Sequence, residues 1–517
     1  MTENYLNILA DTIRNNWDQP ALTDFYLTED GSAQDTSRGN HYTYGEMYTE
    51  ICRVANLLTS LGLQAGDHIA ICGANSAHWV IAYLAIAKMQ GVSVLVMHSL
   101  TPEQKARLLC FSDSKAIIVD CELWQEMQLP QLQHVIAMND WTILSSAQNH
   151  EQGKNATTDR ESITILQCSQ DELQTICFTS GSTGRPKGVM LSYRNVSASS
   201  QGVADACVLH ANKRAVSFLP LSHAYVLGGQ VLTPLSHGAC VYSLCGVSSP
   251  DFMFAAIAMI QPYAVFLVPM LVAKLGDERY RALLPILLKS LEYMVIGGAD
   301  FPIQTEKALA AMRVPIAPGY GVTETAALIS LSPFSQHRLG ASGRVISTLQ
   351  CRISPAGEIL VKGENVMLGY YKDPEATARK IDSDGWLHTG DKGHLDEDGY
   401  LYVEGRLEQD IIVLPNGENI RPDHIESLIN ALPEISESIV LARNGKLVSI
   451  VVPSSESSES RETSETRASS SSSSLRRKIL RTVNPQLPLF SQLYDVEIID
   501  QPLARTEKQT IKRYLYK

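Results

Sequence analysis

The sequence predicts a mixed α/β protein that becomes rich in short strands from about residue 343. Residues 43–120 alternate helical and strand patterns, and the same alternation returns at 213–300. This alternation is typical of a parallel sheet covered by helices. From about residue 343, short strands are joined by Gly, Asp and Asn turns, which indicates a β-rich region. A chain of 517 residues is too long for one ordinary core, so two or more domains are expected.

Local patterns justify the individual elements. The run "YTYGEMYTEICRVANLLTSLG" has apolar residues at helical spacing and stops at a glycine, so it predicts a helix. Short apolar runs containing Val or Ile predict buried strands; these are "HIAICGA", "SVLVMH", "KAIIVD", "AVSFLPL", "AVFLVPM" and "YMVIGGA". The serine-rich segment Ser454–Ser474 has Ala468 as its only apolar residue, and it predicts a flexible insertion.

Composition excludes several classes of function. A net charge of -12 argues against nucleic acid as the main partner, because phosphate binding needs a basic face. The most apolar stretch, "WVIAYLAIAKMQGVSVLVM", is interrupted by Lys88, Gln90 and Gly91, so we expect a buried helix and a buried strand and no membrane span. The ten cysteines are scattered without a CxxC pair, and the N-terminus has no signal-peptide pattern. We therefore expect a cytoplasmic protein.

A glycine-rich loop carries the strongest functional signal. The stretch "TICFTSGSTGRPKG" places glycines, hydroxyls and one lysine directly after an apolar run. Glycines let backbone N–H groups turn toward an anion, hydroxyls add donors, and the lysine adds a positive charge for phosphate oxygens. The candidate phosphate-binding residues are Thr179, Ser180, Gly181, Ser182, Thr183, Gly184 and Lys187. The loop is neither a Walker A motif nor a GxGxxG motif.

This loop resembles the phosphate-loop signature of the adenylate-forming (AMP-binding) superfamily, which includes acyl-CoA synthetases, aryl-acid ligases and peptide-synthetase adenylation domains. Further motifs resemble this family in the same order along nearly the whole chain: "LPLSHAYVLGG", "VIGGAD", "GYGVTETA", "GEILVKGENVMLGYYKDPEAT" and "DGWLHTGDKGHLDEDGYLYVEGR". The resemblance implies an N-terminal adenylation domain at 1–405, and a small, mobile α+β domain at 406–517 that carries the insertion at 454–474.

The resemblance also implies a reaction and its cofactors. A carboxylic acid attacks ATP to give acyl-AMP and pyrophosphate, and a thiol then displaces AMP. ATP, Mg²⁺ and CoA are the implied cofactors, and a small-molecule acid is the implied partner. We expect an acyl-CoA synthetase for a medium- or long-chain fatty acid. An aryl acid or an acyl carrier protein is the nearest alternative, and a degenerate nucleotide-binding or acyl-AMP-binding regulator is a third.

Residue roles are carried over from the matching motifs. By resemblance, the ring of Tyr320 stacks on adenine, Thr323 contacts the α-phosphate, Asp391 accepts the ribose hydroxyls and Arg406 reaches the ribose and phosphate. Glu324, with Thr179, is the implied magnesium site. In isolation, "TET" also fits a helix N-cap, and Asp391 also fits a turn residue.

The acid pocket is implied by two further motifs. His223, in "PLSHAY", resembles the histidine that lines the acyl pocket, although a single histidine beside an apolar run is often only part of a core. Gly297 and Gly298 leave room for a chain or a ring. Leu219–Gly229 contains no carboxylate to pair with an ammonium group, which favours a plain carboxylic acid over an amino acid.

The C-terminus departs from the family pattern, which is roughly T-x-x-G-K-I-x-R. On "TEKQTIKR", Thr510 takes the position of the catalytic lysine. Two lysines flank this position, Lys508 and Lys512. In an extended segment all three side chains point the same way, whereas in a helix the two lysines lie away from Thr510. We hypothesise that Lys512 partly replaces the missing cation.

Overall fold

The structure of the protein is a computed structural model. It describes residues 2–28, 39–126, 132–146, 160, 163, 169–179, 187–207, 209–246, 249–299, 301–407, 412–413, 419–420, 422–443, 445–454, 465–487, 491–505, 511 and 513–516. The chain divides into two compact units, Met1–Gly405 and Arg406–Lys517.

Strands and helices alternate through most of the first unit. Its strands are β1 (Pro20–Phe25), β2 (His41–Thr43), β3 (His68–Cys72), β4 (Val92–Leu95), β5 (Ala116–Val119), β6 (His134–Ala137), β7 (Ile143–Ser146), β8 (Leu173–Thr179), β9 (Lys187–Ser192), β10 (Arg214–Ser217), β11 (Cys240–Leu244), β12 (Ala264–Leu267), β13 (Tyr293–Ile296), β14 (Ile316–Tyr320), β15 (Ser330–Leu331), β16 (Arg344–Val345), β17 (Leu349–Ile353), β18 (Glu358–Gly363), β19 (Gly369–Tyr370), β20 (Leu387–Leu395) and β21 (Leu401–Arg406). Its α-helices are α1 (Tyr5–Asn15), α2 (Tyr44–Ser60), α3 (Ala77–Lys88), α4 (Pro102–Phe111), α5 (Cys121–Glu126), α6 (Tyr193–Ala206), α7 (Ala224–Val226), α8 (Thr233–Ser236), α9 (Pro250–Ile260), α10 (Pro269–Ala273), α11 (Glu278–Arg281), α12 (Leu284–Leu287), α13 (Ile303–Ala311) and α14 (Pro374–Lys380).

Two large sheets organise this unit. One has the strand order β16-β15-β14-β13-β12-β10-β11-β1-β2, and the other has the order β19-β9-β8-β4-β3-β5-β6-β7. Strands β1 and β10–β14 of the first sheet and β3–β6 and β8 of the second are parallel, which is the arrangement that helical crossovers produce. Strands β9 and β15 pair antiparallel with their neighbours. All six apolar runs quoted above form parallel strands, so the predicted α/β class is confirmed.

Helix α3 explains how the most apolar stretch is accommodated. Residues 77–87 are all buried, and the helix contacts β1 of one sheet and β3 and β4 of the other. Such an all-round apolar helix is expected between two layers of a globular core. In the part of the chain that the structure describes, no helix is long and apolar enough to cross a membrane.

A smaller sheet with the order β17-β18-β20-β21 accounts for the β-rich region. Its β17–β18 and β18–β20 pairs are antiparallel. The turn Asp396–Tyr400 is closed by Asp396, whose carboxylate accepts from the backbone N–H groups of Asp398 and Tyr400 at 3.0 and 2.8 Å. This is the Asx-turn chemistry that the Asp- and Gly-rich sequence predicts.

The second unit is a small α+β structure. Its described elements are β22 (Ile412–Val413), β23 (Asn419–Ile420), α15 (Pro422–Asn430), β24 (Ile435–Arg443), β25 (Lys446–Pro453), α16 (Glu465–Val483) and β26 (Asp495–Ile498). Strands β24 and β25 are antiparallel, and β25 and β26 are parallel. Ile429, Ile479 and Val483 are fully buried in its core.

Part of the serine-rich segment 454–474, which the sequence predicts to be a flexible insertion, is helical in the structure. Helix α16 begins at Glu465, so 465–474 is helical, while 455–464 lie outside the described residues. The second half of α16, "LRRKILRTV", anchors the helix in the core through Ile479 and Val483. Once a helix is nucleated by packing, serine costs only a few tenths of a kcal/mol per residue, so the helix extends toward its N-terminus.

Candidate active site

The hairpin formed by β8 and β9 carries the glycine-rich motif. Thr179 ends β8 and lies opposite Lys187, which begins β9. The hairpin therefore brings together the two ends of the predicted phosphate loop. The loop residues Ser180, Gly181, Ser182, Thr183 and Gly184 lie outside the described residues.

The motif "GYGVTET" forms a tight turn after β14. Strand β14 ends at Tyr320, and Thr323–Thr325 forms one 3₁₀ turn that packs against β9. A Cβ on Gly321 would lie 2.2 Å from the carbonyl oxygen of Ala327, so this position excludes every other residue without a backbone shift. The turn brings Thr323 and Glu324 to the strand that carries Lys187.

Glu324 is held by β19 and by the segment that precedes it. Its Oε1 accepts a hydrogen bond from the hydroxyl of Tyr370 at 2.7 Å, and its carbonyl accepts from the N–H of Met367 at 2.9 Å. The Lys187 Nζ lies 4.7 Å from the centroid of the Tyr370 ring. One tyrosine thus contacts both the lysine and the carboxylate.

Asp391 and Tyr320 form a second pair in the same unit. The Tyr320 hydroxyl donates to Oδ2 of Asp391 at 2.5 Å, and Thr389 Oγ1 accepts from the Asp391 N–H at 3.0 Å. Asp391 is only 5% exposed. The fold therefore joins an aromatic ring and a carboxylate that lie 71 residues apart in the sequence.

The predicted acid pocket lies at the ends of β12, β13 and β14. Gly297 and Gly298 follow β13, and Gly298 has a φ of +85°, which favours glycine. A Cβ on Gly297 would lie 3.4 Å from both the Gly319 carbonyl oxygen and Cε2 of Tyr225. The ring of Tyr225 therefore lies against these glycines.

His223 is half-buried and comes directly before α7, which runs into a π-helical turn, Leu227–Leu232. Irregular helical turns of this kind are frequent at functional sites. Tyr225, in α7, packs edge-on against Phe266 of β12, with ring centroids 5.9 Å apart. His223 was predicted from the sequence, whereas Tyr225, two residues later in the same motif, was not.

Two polar atoms stand out around this aromatic pair. The hydroxyl of Tyr225 and Oε1 of Gln230 are buried and have no hydrogen-bond partner among the residues that the structure describes. Burial raises the pKa of the Tyr225 hydroxyl, so it is a neutral donor. The Gln230 Nε2 donates to the Phe266 carbonyl at 3.1 Å, which fixes the direction of Oε1.

The remaining predicted residues belong to the second unit. Arg406 is its first residue and is exposed. Lys508 and Lys512 lie outside the described residues, as does Thr510. Their neighbour Ile511 forms an antiparallel β-bridge with Arg505, and its side chain packs on a small apolar cluster.

Arg513 is an anchored residue of the C-terminal segment. Its guanidinium forms two hydrogen bonds with the carboxylate of Glu426, and both side chains are largely buried. The N–H of Val440 donates to the same carboxylate at 2.6 Å. A bidentate pair of this kind fixes the position of Arg513 in the second unit.

The residues present in the first unit suit ATP and Mg²⁺. Mg²⁺ prefers oxygen ligands and is usually held by one or two protein groups together with phosphates and water. Glu324 offers a carboxylate and Thr179 a hydroxyl, and Lys187 offers a charge for phosphate. In the described ranges, no group of three or more His, Cys, Asp and Glu could bind a metal alone.

Comparison with known proteins shows which family this chain resembles. Residues 9–371 match the AMP-binding enzyme family, and 409–516 match the AMP-binding enzyme C-terminal domain. The chain is 30% identical over 425 residues to 2-succinylbenzoate–CoA ligase of Oceanobacillus iheyensis, covering 80% of this chain and 83% of that protein. It is 27% identical over 454 residues to 4-coumarate–CoA ligase 4 of Arabidopsis thaliana, covering 81% and 77%.

A solved structure shows the same fold. It is o-succinylbenzoate CoA synthetase (MenE) from Bacillus subtilis in complex with the acyl-adenylate intermediate OSB-AMP. The two structures superpose with a TM-score of 0.78, and the chains are 23% identical. The comparison covers 99% of this chain and 98% of that chain. The two family matches define the class as an adenylate-forming enzyme, and the solved structure shows the same fold.

This chain belongs to the AMP-binding enzyme family. The comparisons confirm the family resemblance, and they confirm ATP, Mg²⁺ and CoA as the cofactors of AMP-forming CoA ligases.

Proposed function

We propose that this chain is an acid–thiol ligase that activates an aryl carboxylic acid. In the first step, a carboxylate oxygen attacks the α-phosphorus of ATP, the bond to the β-phosphate breaks, and pyrophosphate leaves. In the second step, the sulfur of CoA attacks the acyl carbon and AMP leaves. Relatives named as CoA ligases for aryl acids support this reaction class, and a fatty acid is not specifically supported.

The first step brings two anions together, so positive charge is required near the phosphates. Lys187 supplies one such charge at the mouth of the β8–β9 hairpin. Glu324 and Thr179 would hold Mg²⁺, which when bound offsets charge on the phosphates. Thr323, in the same turn as Glu324, would contact the α-phosphate.

The Tyr320–Asp391 pair would bind the nucleoside. The flat ring of Tyr320 is suited to stacking on adenine, and a carboxylate is suited to accepting both ribose hydroxyls. The 2.5 Å hydrogen bond between them orients the carboxylate before ATP arrives. Arg406, at the start of the small unit, would complete the contacts to ribose and phosphate.

The observation that favours an aryl acid is the environment of Tyr225. Its ring and that of Phe266 form an aromatic corner beside Gly297, which suits a flat ring. A buried hydroxyl without a partner destabilises a protein by about 1–3 kcal/mol. A substrate ring with a substituent that accepts a hydrogen bond would satisfy the Tyr225 hydroxyl, whereas a plain alkyl chain would not.

We expect Tyr225→Phe to change substrate selectivity more than stability. With an aryl acid that carries a hydroxyl or carbonyl on its ring, KM should rise about tenfold, which is the loss of roughly 1.4 kcal/mol. With the unsubstituted aryl acid, KM should stay unchanged, because no hydrogen bond is lost. ATP–pyrophosphate exchange, assayed with matched substituted and unsubstituted acids, measures the ratio of their KM values.

Tyr400→Phe is the matched control for this test. It removes a hydroxyl that donates to the carbonyl of Gln336 at 2.8 Å, and it should leave selectivity unchanged. Equal KM changes for substituted and unsubstituted acids in Tyr225→Phe would argue against a substrate contact. A wild-type preference for long alkyl acids over every aryl acid would contradict the aryl proposal as a whole.

We also propose that Lys512 supplies the cation that Thr510 lacks. Its neighbours are anchored, since Ile511 packs on an apolar cluster and Arg513 pairs with Glu426. Lys512→Ala should lower pyrophosphate exchange about 10²–10³-fold, as expected for loss of a charge contact in the transition state. Lys508→Ala is the comparison variant and should have a smaller effect. Unchanged exchange in both variants would exclude a replacement lysine.

The in-register Thr510 also motivates a second candidate function. A protein without an adenylation lysine could bind ATP or acyl-AMP and act as a regulator. Calorimetric ATP binding together with no exchange for any acid would favour this function. Thioester formation with CoA, compared with an acyl carrier protein, separates the two proposed acceptors.

A further inference from the structure

Tyr370 occupies a defined position between two strands. Strand β19 pairs antiparallel with β9, and Tyr370 lies opposite Val189. Lys187 is two residues before Val189, so its side chain lies on the same face as Tyr370, at the diagonal position of the ladder. The 4.7 Å distance from Lys187 Nζ to the ring centroid is within the range of a cation–π contact.

The opposite end of the same ring contacts the carboxylate. The Tyr370 hydroxyl donates to Glu324 Oε1 at 2.7 Å, and Tyr370 is only 4% exposed. The cation and the carboxylate are therefore separated by one buried aromatic ring. Tyr370 is 183 residues from Lys187 and 46 residues from Glu324 in the sequence, so both contacts depend on tertiary structure.

The backbone around Tyr370 fixes the direction of the ring. Its N–H donates to Oγ1 of Thr377 at 2.8 Å. The preceding Gly369 has a φ of +141°, and a Cβ there would lie 2.8 Å from Cγ2 of Thr377. Helix α14, which carries Thr377, is capped by the Asp373 carboxylate. The ring is thus attached to a rigid element and not to a mobile loop.

The Tyr370 ring keeps Lys187 apart from Glu324, and this separation has an electrostatic consequence. A lysine and a glutamate that both face one site attract each other, and the attraction is strong where water is scarce. A direct ion pair between them would have to be broken before the lysine could bind phosphate or the glutamate could bind a cation. The ring offers each group a weaker partner and keeps the two groups apart.

We propose that Tyr370 is a positioning residue that holds Lys187 ready for the phosphates of ATP and Glu324 ready for the divalent cation. This inference rests on the proposed function for the roles of Lys187 and Glu324. It goes beyond that function, because it assigns the coupling between the two groups to a residue that touches neither the acid nor the reacting atoms.

Equilibrium binding of ATP tests this assignment without turnover. The full-length protein is titrated with ATP by calorimetry, once in excess EDTA and once with saturating Mg²⁺. Tyr370→Phe keeps the ring under Lys187 and removes the hydrogen bond to Glu324. We expect its ATP affinity in EDTA to equal that of the wild type, and the gain in affinity on adding Mg²⁺ to fall about tenfold.

Two further variants complete the test. Tyr370→Leu removes both contacts, so ATP affinity should fall about tenfold in EDTA as well. Tyr371→Phe is the matched control, because its hydroxyl donates to Asp113 at 2.8 Å on an exposed surface, and its binding should be unchanged. Thermal unfolding of each variant separates loss of fold from loss of positioning.

The outcomes are distinct. The same Mg²⁺-dependent gain in Tyr370→Phe as in the wild type would overturn the inference, while acid-dependent exchange by the wild type would leave the proposed function standing. A wild-type protein that binds no ATP in either condition would overturn both. A Mg²⁺-specific loss in Tyr370→Phe, with binding in EDTA retained, supports the positioning role.

Discussion

Glu324→Gln is expected to lower acid-dependent ATP–pyrophosphate exchange by about 10²–10³-fold, which is the range for loss of one charged group that stabilises a phosphoryl-transfer transition state. Glutamine has the same shape and keeps an oxygen to accept the hydrogen bond from Tyr370, so the local fold should persist. What the substitution removes is the negative charge that would bind Mg²⁺. The concentration of Mg²⁺ for half-maximal exchange should therefore rise as the rate falls.

Glu375→Gln is the matched control, because Glu375 is an exposed carboxylate on α14. It should leave both the rate and the Mg²⁺ dependence unchanged. If Glu324→Gln exchanged at the wild-type rate at low Mg²⁺, Glu324 would not be a ligand of the metal, whatever the rate of the control.

Gly321→Ala is expected to cause the largest loss of stability among substitutions in the turn after β14. The added Cβ would lie 2.2 Å from the carbonyl oxygen and 2.4 Å from the carbonyl carbon of Ala327. Both are backbone atoms, so relief requires movement of the turn and not of a flexible side chain. We expect the free energy of unfolding to fall by about 2–4 kcal/mol, as seen for overpacking and strained backbones.

The same movement would displace Tyr320 and Glu324, so exchange activity should fall together with stability. Gly276→Ala is the matched control, because nothing lies within 4 Å of the Cβ that it would add. Denaturant unfolding of the two variants measures the difference. Equal midpoints for both would show that the turn accommodates a methyl group.

Local sequence patterns predict much of the fold. Apolar runs containing Val and Ile predict six parallel strands, because burial on both faces leaves no other choice of residues. The turn at Asp396–Tyr400 follows from side-chain hydrogen bonds within five residues. The extent of α16 was not predictable, because its serine-rich first half depends on an anchor formed by Ile479 and Val483 further along the chain.

The site was predictable only where its residues sit in contiguous motifs. Lys187, Glu324 and Tyr370 all lie in motifs that resemble the family. The contact of Tyr370 with Lys187 could not be predicted, because it depends on pairing between β19 and β9, which no local pattern reports. Tyr225 was missed for a different reason. An aromatic residue in an apolar run is usually core, and only the structure shows that its hydroxyl is buried without a partner among the described residues.

The most direct test of the central claim is ATP–pyrophosphate exchange by the wild-type protein over a panel of aryl and alkyl acids, followed by thioester formation with CoA. The proposal predicts exchange that depends on Mg²⁺ and on an aryl acid with a hydrogen-bonding ring substituent, and conversion of that acid to its CoA thioester. ATP binding without exchange for any acid in the panel would contradict it.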